Sequence, residues 1–192
     1  MSIPARLVLA TGNAGKLREM REILAPWQAD VRSLAEFTPE SAAETGLTFV
    51  ENALLKARFA ARVSGLPAIA DDSGLEVDAL HGAPGIYSAR YAGPACDDAA
   101  NNAKLLRELE SIADDARTAR YRCAMVYLRW PDDPSPVIAQ AAWEGRIGRM
   151  ARGTGGFGYD PLFLVGDGVR TAAEFAAADK NLCSHRGQAL RG

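Results

Sequence analysis

The stretch R-L-V-L-A-T-G-N-A-G-K, residues 6–16, decides the fold. Its first five residues are mostly apolar and predict a buried strand. Thr11-Gly12-Asn13 breaks that strand, and apolar side chains then recur at helical spacing over residues 17–24. A strand, a glycine turn and a helix in this order direct backbone N–H groups at whatever lies above the end of the strand.

Helical and strand patterns alternate along the rest of the chain. Thr48 and Glu51 have the T-x-x-E spacing of a capping box and begin a second helix, which Gly65 ends. Further helices are predicted at residues 97–112 and after a cap at Ser184. Further strands are predicted at residues 68–70, 121–130, 137–143 and 162–165. Because one long hairpin interrupts the alternation, the sequence predicts an α/β fold with a central mixed β-sheet and flanking helices.

The composition argues against several classes of protein. Lys and Arg total 22 and Asp and Glu total 24, so the net charge is −2 and the basic excess typical of nucleic-acid binders is missing. The three cysteines form no C-x-x-C pair, which argues against a disulfide framework and a structural zinc site. No apolar run approaches the roughly 20 residues that span a bilayer. With a length of 192 residues, these features predict one domain or a two-lobed unit around one sheet over residues 1–192, in a cytoplasmic protein with neither nucleic acid nor membrane as a partner.

Residues 11–16, T-G-N-A-G-K, have the composition of a phosphate-binding turn. Phosphate oxygens need converging donors, and the N–H groups of a helix N-terminus together with Lys16 provide them. The segment is not a Walker A loop, because that pattern requires Gly at position 10 and Ser or Thr at position 17, where Ala10 and Leu17 stand. An ordinary strand-to-helix turn is the alternative interpretation.

Two adjacent aspartates, Asp71 and Asp72, follow the predicted strand at residues 68–70. Buried carboxylates are costly unless they have a partner. Successive strand residues point to opposite faces, so we expect only one of the two to enter a site. There it would bind Mg²⁺, orient a water or accept its proton. The alternative is a capping turn, for which Asp-Ser-Gly is suitable.

Two later segments contain candidate ligand-binding residues. In G-T-G-G-F-G-Y-D, residues 153–160, four glycines permit close backbone approach to a flat ligand, and Phe157 or Tyr159 can stack on a base. Lys180, His185 and Arg186 are donors that suit a base with a keto oxygen and reject adenine, whose amino group is itself a donor. A flexible hairpin connection and a solvated charged face are the respective alternatives.

Taken together and in order, these segments resemble the inosine triphosphate pyrophosphatase family, also called dITP/XTP pyrophosphatases. The resemblance covers residues 7–190 and rests on A-T-G-N-A-G-K, E-T-G-L-T-F-V-E-N-A, A-I-A-D-D-S-G-L-E-V-D, G-A-P-G-I-Y-S-A-R-Y-A-G, G-T-G-G-F-G-Y-D-P and S-H-R-G-Q-A-L. It implies an elongated two-lobed α/β fold with a substrate cleft between the lobes. It also implies a cytoplasmic, Mg²⁺-dependent homodimer. Its substrates would be noncanonical purine nucleoside triphosphates (ITP, dITP and XTP), split to the monophosphate and pyrophosphate to cleanse the nucleotide pool.

The resemblance also implies a role for each residue that matches a family motif. The phosphates would be bound by Thr11, Gly12, Asn13, Ala14, Gly15 and Lys16. The metal ligand and proton acceptor would be Asp72, supported by Asp71, with Lys16 neutralising charge. The substrate would further contact Ser73, and its base and sugar would meet Phe157, Gly158, Tyr159 and Asp160. The purine would be recognised by Lys180, His185 and Arg186.

Three positions depart from the family pattern. Many relatives have consecutive acids before T-G, whereas here Ala43 precedes Glu44, which leaves Glu44 as the second candidate metal ligand. The usual glutamate before the final lysine is the shorter Asp179. Relatives continue the last helix beyond the position of Gly192, so weaker packing is expected around His185 and Arg186.

Two other functions compete with this interpretation. A pyrophosphatase for modified pyrimidine nucleotides would share the fold and the phosphate loop, but the S-H-R and G-G-F-G-Y-D segments favour a purine. A nucleotide sensor that binds without hydrolysis would have less need of Lys16, Asp71 and Asp72 together. The sequence does not rank ITP, dITP and XTP, and it leaves open which aspartate transfers protons.

Overall fold

The computed structural model describes residues 5–166 and 168–192. Within them, seven strands form one sheet in the order β2-β1-β3-β4-β5-β6-β7. The strands are β1 (Arg6–Leu9), β2 (Asp30–Ser33), β3 (Ala68–Val77), β4 (Thr118–Leu128), β5 (Val137–Ile147), β6 (Phe163–Val165) and β7 (Arg170–Thr171). The helices are α1 (Ala14–Leu24), α2 (Phe49–Ser64), α3 (Asp98–Glu108), α4 (Ala177–Cys183) and α5 (His185–Arg191). None of the helices in the described part is long and apolar enough to cross a membrane.

The sheet is mixed, as the sequence predicts. β1 pairs in parallel with both β2 and β3, whereas β6 pairs antiparallel with β5 and β7. The chain separates into two compact units, the first ending at Asp72 and resuming at Cys123–Ala141 and Ala189–Gly192. The second unit comprises Ser73–Arg122 and Ala142–Gln188. The elongated shape and the cleft implied by the family resemblance stay predictions.

The core of the first unit has two apolar layers that follow the alternation of strand side chains. One layer packs the alanine-rich face of α2, including Ala57 and Ala60, against Ala68 and Ala70 of β3. The other layer packs α1 against the opposite side chains, among them Ile69 of β3. Since successive strand residues face opposite ways, the even-numbered residues among 68–72 of β3 point toward α2 and the odd-numbered ones toward α1.

The core of the second unit is formed by α3, the aromatic residues of β4, β5 and β6, and the leucines of the 153–162 loop and β3. A charged residue is also fully buried there. Arg117 is 1% exposed and donates to the backbone carbonyls of Leu109 at 2.6 Å, Ile147 at 2.9 Å and Gly148 at 2.9 Å. One guanidinium thus joins the end of α3 to the end of β5.

Several predicted boundaries were wrong for identifiable reasons. β3 runs to Val77, so Asp71 and Asp72 lie inside a strand and form no capping turn. Sheet pairing overrides the local turn preference of Asp-Ser-Gly there. The short strands β2 and β7 were missed because four and two residues, respectively, carry too little alternation to detect. The capping box at Thr48 and the C-cap at Gly65, with φ +68°, are confirmed.

An exposed ion-pair network on β4 gives a pH-dependent contribution to stability. Arg120 donates to both carboxylate oxygens of Asp78 at 2.7 and 2.9 Å, and the Thr118 hydroxyl donates to one of them at 2.6 Å. The hydrogen bonds from Arg120, followed by that from Thr118, lower the pKa of Asp78 from 3.8 to about 2. The stabilisation is therefore complete above the unfolded-state pKa and is lost as pH falls through the folded-state pKa.

We expect Asp78→Asn to lower the free energy of unfolding at pH 7 by at most about 1 kcal/mol, because half-exposed ion pairs are screened by water. The difference from wild type should shrink as pH falls from about 5 toward 2. Urea unfolding across this pH range checks the expectation. A difference that stays constant over the range would contradict it.

Candidate functional site

The turn between β1 and α1 is held by its own side chains. The Asn13 carboxamide oxygen accepts from the backbone N–H of Lys16 at 3.0 Å and caps α1. The Asn13 N–H donates to the Thr11 hydroxyl at 3.1 Å. The bond from Leu17 N to Asn13 O at 3.0 Å begins the helical pattern, so the N–H groups of Ala14 and Gly15 have no carbonyl acceptor within the helix. This geometry is that of an anion-binding helix N-terminus.

Asp71 and Asp72 lie next to this turn in space. β1 and β3 are in parallel register at Leu9↔Ile69, and Ala10 N donates to Ile69 O at 2.8 Å. Asp71 therefore lies beside Thr11, because each of them comes two residues after the pair Leu9↔Ile69. The alternation established by the core directs Asp71 toward α1 and Asp72 toward α2.

Each buried aspartate meets a different lysine. Lys16 of α1 places its ammonium 3.3 Å from Asp71 Oδ2, and Lys56 of α2 places its ammonium 2.6 Å from Asp72 Oδ1. The Lys56 ammonium also lies 3.1 Å from Glu44 Oε1. We call Lys16, Glu44, Lys56, Asp71 and Asp72 the first-unit cluster.

Lys56 is the residue that sequence reasoning missed. A lysine on an amphipathic helix is ordinarily solvated, and nothing in its neighbourhood in the sequence distinguishes it. Here its side chain is only 13% exposed because it contacts two carboxylates.

Burial and charge shift the pKa values in this cluster. Burial raises the pKa of Asp72, and the neighbouring Lys56 ammonium offsets that rise only in part. Burial alone would lower the pKa of Lys56, but the charges of Asp72, Asp71 and Glu44 together outweigh it and raise the pKa. The lysine therefore stays charged, and Asp72 is a carboxylate with increased proton affinity.

The loop that carries Glu44 is fixed to the start of α2. Glu51 accepts from the N–H groups of Leu47 and Thr48, both at 2.9 Å, and Asn52 accepts from Gly46 N at 2.9 Å. A Cβ added at Gly46 would lie 2.6 Å from Glu51 Cβ and 2.9 Å from Asn52 Oδ1. Glycine is thus required for the loop to pack this closely on the helix.

We expect Gly46→Ala to lower the free energy of unfolding by about 1–3 kcal/mol, because the loop or the helix end must move to admit the methyl group. Gly148→Ala is the matched control, since its added Cβ would meet its nearest neighbours only at 3.4 Å. Urea unfolding of both variants measures the effect. Equal stability of the two variants would show that the loop adjusts freely.

A second group of polar side chains is centred on Asp160. Asp160 Oδ2 accepts from the Lys180 ammonium and from Phe157 N, at 2.7 and 2.8 Å, and its Oδ1 accepts from the Tyr121 hydroxyl at 3.2 Å. A Cβ on Gly156, which has φ +73°, would lie 2.0 Å from Asp160 Oδ2. The glycine lets the loop close around this carboxylate, and Asp160 in turn fixes the Lys180 ammonium.

His185 and Arg186 belong to the same group. Arg186 donates to Ser73 Oγ at 3.0 Å, and its guanidinium carbon lies 5.8 Å from the centre of the Phe157 ring. The Lys180 ammonium lies 5.1 Å from that ring. We call Phe157, Asp160, Lys180, His185 and Arg186 the second-unit cluster.

The alternative of a solvated charged face for this segment is wrong. Lys180, His185 and Arg186 are all buried, Arg186 to 1% exposure. The Ser184 hydroxyl accepts from Gly187 N at 3.2 Å, which confirms the predicted cap of the last helix. His185 and Arg186 are thus buried residues in the first turn of α5.

Of the two aromatic residues in the glycine-rich loop, Phe157 is half-buried and Tyr159 is fully packed. Tyr159 lies in the core of the second unit and donates to Ser88 O at 2.8 Å. Gly158, at φ +60°, donates to Asp98 and accepts from Asn102. Phe157 is therefore the ring that remains accessible to a ligand, whereas Tyr159 anchors the loop in the core of the second unit.

The predicted residues fall into two groups, one in each unit. The first unit contains Thr11, Gly12, Asn13, Ala14, Gly15, Lys16, Glu44, Asp71 and Asp72. The second contains Ser73, Phe157, Gly158, Tyr159, Asp160, Lys180, His185 and Arg186. Among the described residues, no group of three or more His, Cys, Asp or Glu side chains is arranged to hold a metal ion.

Comparison with known proteins shows which sequences and structures this chain is similar to. A sequence profile described as the Ham1 family matches residues 7–192. A dITP/XTP pyrophosphatase from Thioalkalivibrio sulfidiphilus is 62% identical over 186 residues, which cover 97% of this chain and 95% of the relative. The solved structure of a HAM1 protein from Coxiella burnetii is 47% identical with a TM-score of 0.88, covering 98% of this chain and 95% of its own.

A third match is another solved structure. The crystal structure of a nucleoside-triphosphatase / dITP/XTP pyrophosphatase from Mycobacterium abscessus is 42% identical with a TM-score of 0.77, and the match covers 97% of both chains. The resemblance found from the six sequence strings is thereby confirmed along nearly the whole length. This chain belongs to the Ham1 family.

Proposed function

We propose that this protein hydrolyses noncanonical purine nucleoside triphosphates (ITP, dITP and XTP) to the monophosphate and pyrophosphate. The observation that carries the proposal is the first-unit cluster, in which Lys16 pairs with Asp71 at the start of α1 and Lys56 pairs with the neighbouring Asp72 and with Glu44. The names of relatives at 53–62% identity, dITP/XTP pyrophosphatases, agree with it.

The first-unit cluster suits the triphosphate. Residues 11–16 bind its oxygens through N–H groups of the first turn of α1 and through the Lys16 ammonium. Lys56 brings a second positive charge, which its raised pKa keeps in place. Attack of water on phosphorus requires positioning and charge neutralisation more than a strong nucleophile, and these donors provide both.

The donor set also fits a divalent cation. Glu44 Oε1 and Asp72 Oδ1 lie 3.1 and 2.6 Å from the Lys56 ammonium, so the two carboxylates are neighbours that share one positive charge. Mg²⁺ is typically bound by one or two carboxylates, with phosphate oxygens and water completing the octahedron. We propose Asp72 and Glu44 as its protein ligands. Bound Mg²⁺ would neutralise charge on the phosphate oxygens.

Asp72 is the proposed proton acceptor. Burial raises the pKa of Asp72, so before a cation binds this carboxylate has a higher proton affinity than an ordinary aspartate. Asp71 pairs with Lys16 and so holds that ammonium beside the phosphate turn. The two aspartates thereby have different partners and different proposed tasks.

The second-unit cluster suits the base. Phe157 offers a ring for stacking, while Lys180, His185 and Arg186 are donors for a keto oxygen. Adenine would place an amino group against these donors and leave buried donors unpaired, which is costly. Ser73 and the backbone of residues 157–160 are proposed to contact the rest of the nucleoside. A modified pyrimidine would fill less of such a site.

Oligomeric state and location are part of the same proposal. We propose a cytoplasmic homodimer that acts on free nucleotides and binds neither nucleic acid nor membrane. The acidic net charge of −2 supports a small-molecule substrate over a duplex nucleic acid. Light scattering of the purified protein distinguishes a dimer from a monomer of 20.5 kDa.

Product analysis in ¹⁸O-labelled water tests the reaction. With ITP and Mg²⁺ we expect IMP and pyrophosphate as the products, without IDP or free phosphate. Water that attacks the α-phosphorus leaves its ¹⁸O in IMP. Label in the pyrophosphate would mean attack at the β-phosphorus, and release of single phosphates would mean a different hydrolase. Tight nucleotide binding without any product would favour the sensor.

A further inference from the structure

Tyr121 of β4 contacts two members of the second-unit cluster by two different parts of its side chain. The sequence assigns it no role beyond a β-rich segment. Its side chain is buried in the second-unit core. The ring reaches His185, and the hydroxyl reaches Asp160, which holds Lys180.

The ring contact sets the orientation of His185. The centres of the two rings lie 4.8 Å apart with 12° between their planes, so the imidazole is stacked on the phenol. Phe163 packs on the same tyrosine at 4.6 Å and 52°, and Trp143 at 6.4 Å. These core residues hold the tyrosine ring in place. Because the imidazole of His185 is stacked on that ring, the plane that contains its N–H bonds is held as well.

The hydroxyl contact sets the orientation of Lys180. Tyr121 donates to Asp160 Oδ1 at 3.2 Å, while Oδ2 of the same carboxylate accepts from Lys180 at 2.7 Å and from Phe157 N at 2.8 Å. A carboxylate held at both oxygens cannot rotate without breaking one of these bonds. The hydroxyl therefore limits where the ammonium of Lys180 can lie.

We propose that Tyr121 is a positioning residue for base selection, aligning His185 through its ring and Lys180 through Asp160 so that both donate to the keto oxygen of the purine. The inference rests on the proposed function, since it assigns the selectivity of that site to one further residue. Hydrogen-bond selectivity depends on donors being held where the correct base needs them, and mobile donors adapt to the wrong base.

Two substitutions separate the contributions of the hydroxyl and the ring. Tyr121→Phe keeps the stack on His185 and removes the donor to Asp160. Tyr121→Leu removes both. Tyr127→Phe is the matched control, because Tyr127 is a partly buried tyrosine of the same strand that packs in the core of the first unit. Melting temperatures of all variants establish that each is folded.

The measurement is kcat/KM for ITP and for ATP with each protein, together with calorimetric affinities for IMP and AMP. We expect Tyr121→Phe to lower the ITP-to-ATP ratio about fivefold, mainly through KM for ITP, as loss of one hydrogen bond would. Tyr121→Leu should lower the ratio further, and Tyr127→Phe should leave it unchanged. The IMP-to-AMP affinity ratio should fall in parallel.

The outcomes distinguish a failure of the role proposed for Tyr121 from a failure of the proposed function. If the wild-type protein prefers ITP and the folded Tyr121→Phe variant has the same ITP-to-ATP ratio, the inference is overturned and the proposed function stands. Equal losses for ITP and ATP in that variant also overturn it, because a merely structural role predicts them. A wild-type protein with no preference for ITP overturns the proposed function and the inference together.

Discussion

Replacing Asp72 by asparagine is expected to lower kcat for ITP at least about 100-fold, the loss typical of a missing general base. Asparagine has nearly the same shape as aspartate, but it neither accepts a proton at neutral pH nor contributes charge to bind a cation. The fold should survive, because Glu44, 3.1 Å from the Lys56 ammonium, keeps that lysine paired. Pyrophosphate release and the melting temperature are measured on the same preparation.

Two controls accompany this variant. Asp132→Asn changes an aspartate whose side chain is 86% exposed and whose nearest cation, Arg62, lies 3.6 Å away, so activity should not change. Asp71→Asn removes the partner of Lys16 and should reduce activity less than Asp72→Asn. Full turnover by a folded Asp72→Asn protein would refute the assignment, and a larger loss in Asp71→Asn would exchange the roles of the two aspartates.

Replacing Arg117 by methionine is expected to destabilise the protein by at least about 3 kcal/mol, because three buried carbonyls lose charge-assisted hydrogen bonds. Methionine fills much of the same volume, so the loss is mainly polar. The three acceptors, the carbonyls of Leu109, Ile147 and Gly148, lie within 2.6–2.9 Å of the guanidinium. For a chain of this length the melting temperature should fall by about 6–12 °C.

Arg107→Met is the control for this effect. Arg107 is exposed in the last turn of α3, where a positive charge contributes only a few tenths of a kcal/mol. Its loss should lower the melting temperature by about 1 °C at most. Calorimetric scans compare the two variants. If both behave like wild type, the buried guanidinium contributes no net stability.

Local features of this fold could be predicted from the sequence. The turn between β1 and α1 could be predicted because its determinants, a strand end, a glycine and the Asn13 cap, lie within six residues. The Thr48–Glu51 capping box was found for the same reason. In both places, short-range hydrogen bonds decide the structure, and the residues that make them are neighbours in the chain.

Long-range pairing explains what could not be predicted. Asp-Ser-Gly favours a turn locally, yet pairing within the sheet keeps these residues in β3. Arg186 is buried because it meets Ser73, 113 residues away in sequence, and a charged segment viewed alone gives no sign of that contact. Lys56 is recognisable as a site residue only once Glu44 and Asp72 are seen around its ammonium.

The central claim is that the protein selects noncanonical purines and hydrolyses them with a divalent cation. Pyrophosphate release from ITP, XTP, ATP and GTP, each assayed with Mg²⁺ and with EDTA, tests it most directly. We predict Mg²⁺-dependent release from ITP and XTP, with ATP and GTP nearly untouched and no release in EDTA. Comparable turnover of ATP and ITP, or inactivity toward all four with activity on modified pyrimidine nucleotides, would contradict it.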